Sequence, residues 1–161
     1  MSTVYVSIGS NINKEANIKG CLHALAENFG ALELSKIYES EAVGFDGDNF
    51  FNLVAKFETV LSVADLNARL KAIEDQYGRE RSGPKFSGRT LDIDILTYDD
   101  LVGTINGVEL PRDEITKNAF VLLPLSEIAA DELHPEQQVS YARLWFFFDK
   151  DSQKLWPVTL S

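Results

Sequence analysis

At 161 residues the chain has the size of one ordinary domain, long enough to bury roughly 70% of the surface its extended form exposes. Its 45% hydrophobic content excludes a disordered chain, its formal net charge of -10 argues against non-specific nucleic-acid binding, and its one cysteine excludes an internal disulfide. The opening MSTVYVSIGS lacks a basic region followed by an apolar run, and no stretch reaches the roughly 18 apolar residues of a spanning helix. A single domain over residues 1–161, cytoplasmic and independent of membranes, is therefore expected.

Val4, Val6 and Ile8 alternate with Tyr5 and Ser7 and read as a strand that ends in the turn Gly9-Ser10-Asn11. Residues 15–28 read as a helix with an apolar face of Ile18, Cys21, Leu22, Leu25 and Ala26, stopped by Gly30. Cys21 on that face is expected to be a core residue. A second strand is expected over 32–38, a loop over 39–51, and a third strand over 52–60, where Leu53, Ala55 and Phe57 alternate with Asn52, Val54 and Lys56. Ser62 suits the cap of a helix over 63–77, whose stripe is Leu66, Leu70 and Ile73. Residues 79–88, RERSGPKFSG, have no periodicity and read as a loop, followed by a strand over 89–98. Asn106-Gly107 marks a hairpin, and 119–129 a short helix around Pro124. The tail YARLWFFFDK fits no clear element; its run Trp145 to Phe148 suits a core or an interface equally, and oligomeric state has no sequence signal. The order β-α-β-β-α-β points to an α+β, ferredoxin-like split β-α-β: a mainly antiparallel sheet, helices packed on one face, and C-terminal additions.

The stretch SGRTLDIDILTYDD is the most informative. Leu91, Ile93 and Ile95 share one strand face, which leaves Asp92 and Asp94 together on the other. Two ionised carboxylates so close repel unless something offsets them, and a divalent cation does so. With oxygen donors only, and the two histidines at 23 and 134, the pattern suits Mg²⁺ and not zinc. Just before it, Arg79, Arg81, Lys85 and Arg89 make a locally basic loop in an acidic chain. Guanidinium forks beside a carboxylate–Mg²⁺ pair suit a polyphosphate, although solvent-facing acids and a salt-linked loop are the plain alternatives.

SGRTLDIDIL resembles the signature of the 6-hydroxymethyl-7,8-dihydropterin pyrophosphokinase family. VYVSIGSNI, IYESEAVG, FFNLVAKFET, IEDQYGRER and VLLPLSEIAADELHP are similar to further segments of that family, covering roughly residues 3–136. The resemblance implies Mg²⁺-dependent transfer of diphosphate from ATP to the hydroxymethyl oxygen of the pterin, releasing AMP, in folate biosynthesis. It implies two Mg²⁺ ions on Asp92 and Asp94. It implies a pterin site of Asn52, Phe50, Phe120 and the backbone of Ser40 and Val43. Arg79, Arg81 and Arg89 fall on family arginines near ATP or in catalytic loops; Glu74, Ile95, Arg112 and Lys117 fall on the nucleotide side. No side chain is an obvious general base, and the loops 42–50 and 79–88 are expected to close over ligand. The chain departs from the family at Glu41 (commonly proline), Phe86 (often tryptophan), Arg112 (histidine) and Asn118 (arginine). A binding paralogue without turnover and a nucleotidyltransferase that would release diphosphate remain as alternatives. The expected partners are small molecules, a pterin and ATP, with neither nucleic acid nor membrane.

Overall fold

The computed structural model describes residues 1–41, 48–77 and 91–160. Strand β1 (Ser2–Ser10) leads into helix α1 (Lys14–Phe29), then the short strands β2 (Glu33–Leu34) and β3 (Ile37–Ser40) and the long strand β4 (Phe50–Thr59). Helix α2 (Val63–Gln76) and strand β5 (Asp92–Tyr98) complete the split β-α-β order. Strand order β5-β1-β4-β3, all antiparallel, places β4 between the parallel β1 and β3, the topology expected of a ferredoxin-like sheet.

Local chemistry sets the element ends. Gly30 closes α1 at φ 81° and returns its N–H to Ala26 O at 2.9 Å. The Ser62 hydroxyl caps α2 by accepting from Asp65 N at 3.2 Å. The hairpin of β6 (Gly103–Ile105) and β7 (Val108–Leu110) turns on Asn106 and Gly107, both at positive φ (51° and 81°). The expected strand over 32–38 is instead two pieces, because Ser35 leaves the ladder: its N–H and hydroxyl both bond Val54.

On one sheet face, Val4, Val6, Ile8, Leu53, Ala55, Phe57, Leu91, Ile93 and Ile95 meet Ile18, Cys21 and Leu25 of α1 and Leu66, Leu70 and Ile73 of α2. Each Val, Leu, Ile or Phe among them stabilises the fold by about 1.5–3 kcal/mol. Cys21 is a core residue, as expected; burial pushes its thiol up to about 12, so it is no nucleophile.

The second face is not left bare. Tyr5, Val54 and Leu96 pack against Val121, Leu122 and Leu125 of α3 (Ala119–Ile128) and Tyr141 of α4 (Tyr141–Phe147). Helices thus cover both faces, whereas the sequence pattern placed them on one. Pro124 sits inside α3 without ending it. The tail resolves into α4, a 3-10 turn (Lys150–Ser152) and β8 (Leu155–Val158), which adds to the sheet beside β3. Within the aromatic run, Trp145 and Phe148 stack at 5.6 Å against the second core, while Phe146 and Phe147 are both 72% exposed.

His134, beyond α3, is buried, and its Nδ1 accepts from the backbone of Glu136 (3.2 Å) and Gln137 (3.0 Å). Burial holds this imidazole below its ordinary range, despite the nearby Glu136 carboxylate. A group depressed on folding contributes stability above its unfolded pKa of about 6.5, and that contribution is lost as pH falls through this value. Urea midpoints should therefore drop between pH 7.5 and 5.5, and His134→Gln should flatten that dependence. Equal slopes in the two proteins would contradict it.

Candidate active site

The acid pair stands where the sheet ends. β5 is an edge strand, and its residues Asp92 and Asp94 lie half-buried on the second face, opposite Gly9 and Ser7 of β1. An edge strand exposes unpaired backbone groups, and here helix α2 covers them. Glu74, with no solvent exposure, accepts the Ile93 N–H at 2.7 Å. One helical turn back, the Lys71 ammonium lies 3.4 Å from Ile93 O and 3.2 Å from Glu74 Oε2. Lys71 and Glu74 thus replace the missing neighbouring strand at the residue between the two aspartates.

A second clamp acts two residues on. A bulge at Leu96 shifts the register between β1 and β5, and the freed Leu96 carbonyl accepts the Arg112 N–H at 2.9 Å. Arg112 is thereby brought beside Asp94, at 3.7 Å from Oδ2, while Lys71 lies 3.6 Å from Oδ1. Burial works against the Arg112 charge, but Asp94 and Glu114 outweigh it and raise the group above its ordinary value. Glu114 accepts from both Nε (2.9 Å) and a terminal nitrogen (2.6 Å) of Arg112, and from Asn118 Nδ2 at 3.1 Å. Arg112 and Asn118, two of the four positions at which the sequence departs from the pattern it resembles, are thus joined through one carboxylate.

Across the sheet from Asp92 runs a row of paired residues: Gly9, Asn52 and Tyr38. Two strand spacings separate Asp92 from Asn52, about 10 Å at the backbone. Gly9 keeps that gap open; a Cβ there would stand 3.1 Å from Asn52 Oδ1 and 3.8 Å from the Phe50 ring. Asn52 is buried, and its Nδ2 donates to Ser40 Oγ at 2.8 Å. Half-buried Phe120, at the start of α3, lines a cavity of about 250 Å³ together with Ser40. A row with an amide and aromatic residues at one end and two acids at the other suits a planar heterocycle whose substituent reaches the acids.

The structure brings together Asp92, Asp94 and Arg112 on one side, and Ser40, Phe50, Asn52 and Phe120 on the other. Other expected residues are placed differently. Ile95 puts its side chain into the core, so only its backbone is left for a nucleotide. Glu74, expected to border the nucleotide, faces β5 and holds the strand. Lys117 is exposed and pairs with Asp113 at 2.7 Å, not with the acid pair. Val43, Arg79, Arg81 and Arg89, and most of the two expected closing loops, lie outside the described residues. Lys71 was missed, and Gly9, expected in a turn, lies within β1. The signal for the first was Glu74 itself, a carboxylate at i+8 on the stripe of Leu66, Leu70 and Ile73, which demands a buried partner.

Among the described residues no group of three or more His, Cys, Asp and Glu stands ready to hold a metal ion. Asp92 and Asp94 are two hard-oxygen donors on one accessible face, which fits an ion that keeps waters and takes phosphate oxygens, as Mg²⁺ does.

Such a site has the makings of a phosphate-group transferase acting on a flat ring. Comparison with known proteins agrees. Residues 5–130 match the family model of 7,8-dihydro-6-hydroxymethylpterin-pyrophosphokinase. A 2-amino-4-hydroxy-6-hydroxymethyldihydropteridine pyrophosphokinase of Aquifex aeolicus is 35% identical over 137 residues, 84% of this chain and 85% of that protein. The protein of the same name from Haemophilus influenzae is 34% identical over 161 residues, 98% of this chain and 100% of that one. In fold, the chain resembles the Plasmodium falciparum HPPK-DHPS crystallised with pterin and p-hydroxybenzoate (TM-score 0.73, 14% identity, 90% of this chain). It spans 42% of that longer protein. The chain belongs to the 7,8-dihydro-6-hydroxymethylpterin pyrophosphokinase family.

Proposed function

We propose that Asp92 and Asp94 hold two Mg²⁺ ions, and with them the phosphates of ATP, against a 6-hydroxymethyl-7,8-dihydropterin seated over Gly9. The family reaction moves the terminal diphosphate of ATP to the hydroxymethyl oxygen and releases AMP, a step of folate biosynthesis. The new bond joins that oxygen to the β-phosphorus, the bond from the β-phosphorus to the α-phosphate oxygen breaks, and the hydroxyl proton is lost. Mg²⁺, when bound, supplies charge neutralisation on the phosphates and acidifies the hydroxyl.

The protein's share is positioning and charge. Asn52 spends one donor on Ser40 and keeps its carbonyl oxygen and second N–H for the amide edge of the pterin. Phe50 and Phe120, with the backbone of Ser40 and Val43, hold the ring by stacking and contact. Arg112 brings a guanidinium to the phosphate end, where Arg79, Arg81 and Arg89 add further forks and Ile95 offers its backbone; Lys117 adds a more distant charge. Lys71 and Glu74 keep Asp92 and Asp94 at fixed height. No helix of the described residues is long and apolar enough to cross a membrane, and we place the reaction in the cytoplasm, with the pterin and ATP as small-molecule partners.

The observation that carries this reading is the single row Asp92–Gly9–Asn52, with acids at one end and an amide at the other. Incubation with ATP, Mg²⁺ and 6-hydroxymethyl-7,8-dihydropterin should release AMP that depends on all three. Diphosphate in place of AMP would mean nucleotidyl transfer. Folded protein that binds both substrates but yields neither product would be a binding paralogue.

A further inference from the structure

The last thirty or so residues lie beyond the stretch matched by the family model, which ends at residue 130, yet they reach the pterin side of the site. β8 runs antiparallel to β3, with Leu155 paired to Ser40. Leu155 and Gln153 line the same cavity as Ser40, Ala119 and Phe120. Helix α3, which carries Phe120, begins without a side-chain cap of its own; Asn118 at the cap position donates to Glu114 instead. The cap comes from 34 residues away. Gln153 Oε1 accepts the Ala119 N–H at 2.8 Å, and Gln153 Nε2 donates to Lys117 O at 2.7 Å.

One amide that bonds a backbone donor and a backbone acceptor on either side of residue 118 fixes both the tilt and the rotation of the helix start. Phe120 follows Ala119 directly, so its ring height over the cavity depends on this staple. We propose that Gln153 is a positioning residue that sets Phe120 for stacking on the pterin, and that Leu155 forms the facing wall of the same pocket. The inference rests on the reading that Phe120 stacks on the substrate ring.

The test is fluorescence titration of 6-hydroxymethylpterin into the full chain, with Mg²⁺ and a non-hydrolysable ATP analogue present. Gln153→Leu should weaken pterin binding by about fivefold or more, the equivalent of a lost cap, while analogue affinity stays within about twofold. Gln153→Glu keeps the acceptor for Ala119 and loses the donor to Lys117, so it should fall between Gln153→Leu and wild type. Leu155→Phe narrows the wall without touching the staple; it should weaken the pterin and leave the melting temperature unchanged. If Gln153→Leu does not fold, Gln153→Glu and Leu155→Phe decide. Wild-type pterin affinity in the folded variants, whatever their melting temperatures, would overturn the inference and reduce Gln153 to a stabilising cap. A wild-type chain that binds the analogue but no pterin would overturn the stacking reading itself, and this inference with it.

Discussion

Asp94→Asn should lower AMP release by about 10²–10³-fold and leave the unfolding free energy within about 1 kcal/mol of wild type. The asymmetry follows from what surrounds the carboxylate. Lys71 and Arg112 both lie within 4 Å of Asp94, but neither depends on it: Lys71 keeps Glu74 and Arg112 keeps Glu114. No buried charge is orphaned, and repulsion with Asp92 is relieved. The lost negative charge matters only where a metal and phosphates must be held. Steady-state AMP release and urea unfolding of the same preparation measure the two halves. A variant that loses several kcal/mol, or one that keeps near-normal turnover, would contradict this account of Asp94.

Glu74→Ala should do the reverse first. It should cost about 3 kcal/mol of stability, because it strips the carboxylate from a fully buried site, leaves the Ile93 N–H without its acceptor and removes one of the two carboxylates beside Lys71. Turnover should also fall, through displacement of the strand that carries Asp92 and Asp94. Glu74→Gln retains an acceptor for Ile93 and should lose less stability. Urea unfolding of the two variants checks the order. If Ala and Gln were equally mild, the Glu74–Ile93 bond would not be what holds the edge of the sheet.

Much of the fold was legible because its signals are local. The alternation of Leu91, Ile93 and Ile95 identified both the strand and the face left to Asp92 and Asp94; the structure keeps that division. Ser62, Gly30 and Asn106-Gly107 announced a cap, a stop and a turn through the chemistry of single residues. The elements that escaped depend on partners far along the chain. Ser35 splits a predicted strand because Val54 takes its bonds. α3 covers the second sheet face because Val54, Tyr5 and Leu96 leave an apolar patch there, and no window of sequence shows three strands side by side. β8 exists because the edge of β3 is open to it.

The site divides in the same way. Asp92 and Asp94 could be paired from their spacing alone, whereas their distance from Asn52 depends on β1 lying between β5 and β4. Lys71 and Gly9 gain meaning only through that order, Lys71 by bracing the edge strand and Gly9 by keeping the row clear. Glu74 was noticed for its position near the nucleotide, while its burial gives it another task. Gln153 had no signal at all, since a glutamine in a tail reads as solvent-exposed until the helix it caps is known.

The direct test of the acid pair is a crystal grown with Mn²⁺ in place of Mg²⁺ and a non-hydrolysable ATP analogue. The expected result is anomalous density for metal bound by Asp92 and Asp94 and touching the analogue's phosphates. Analogue bound at the site with no metal near either carboxylate would contradict the account.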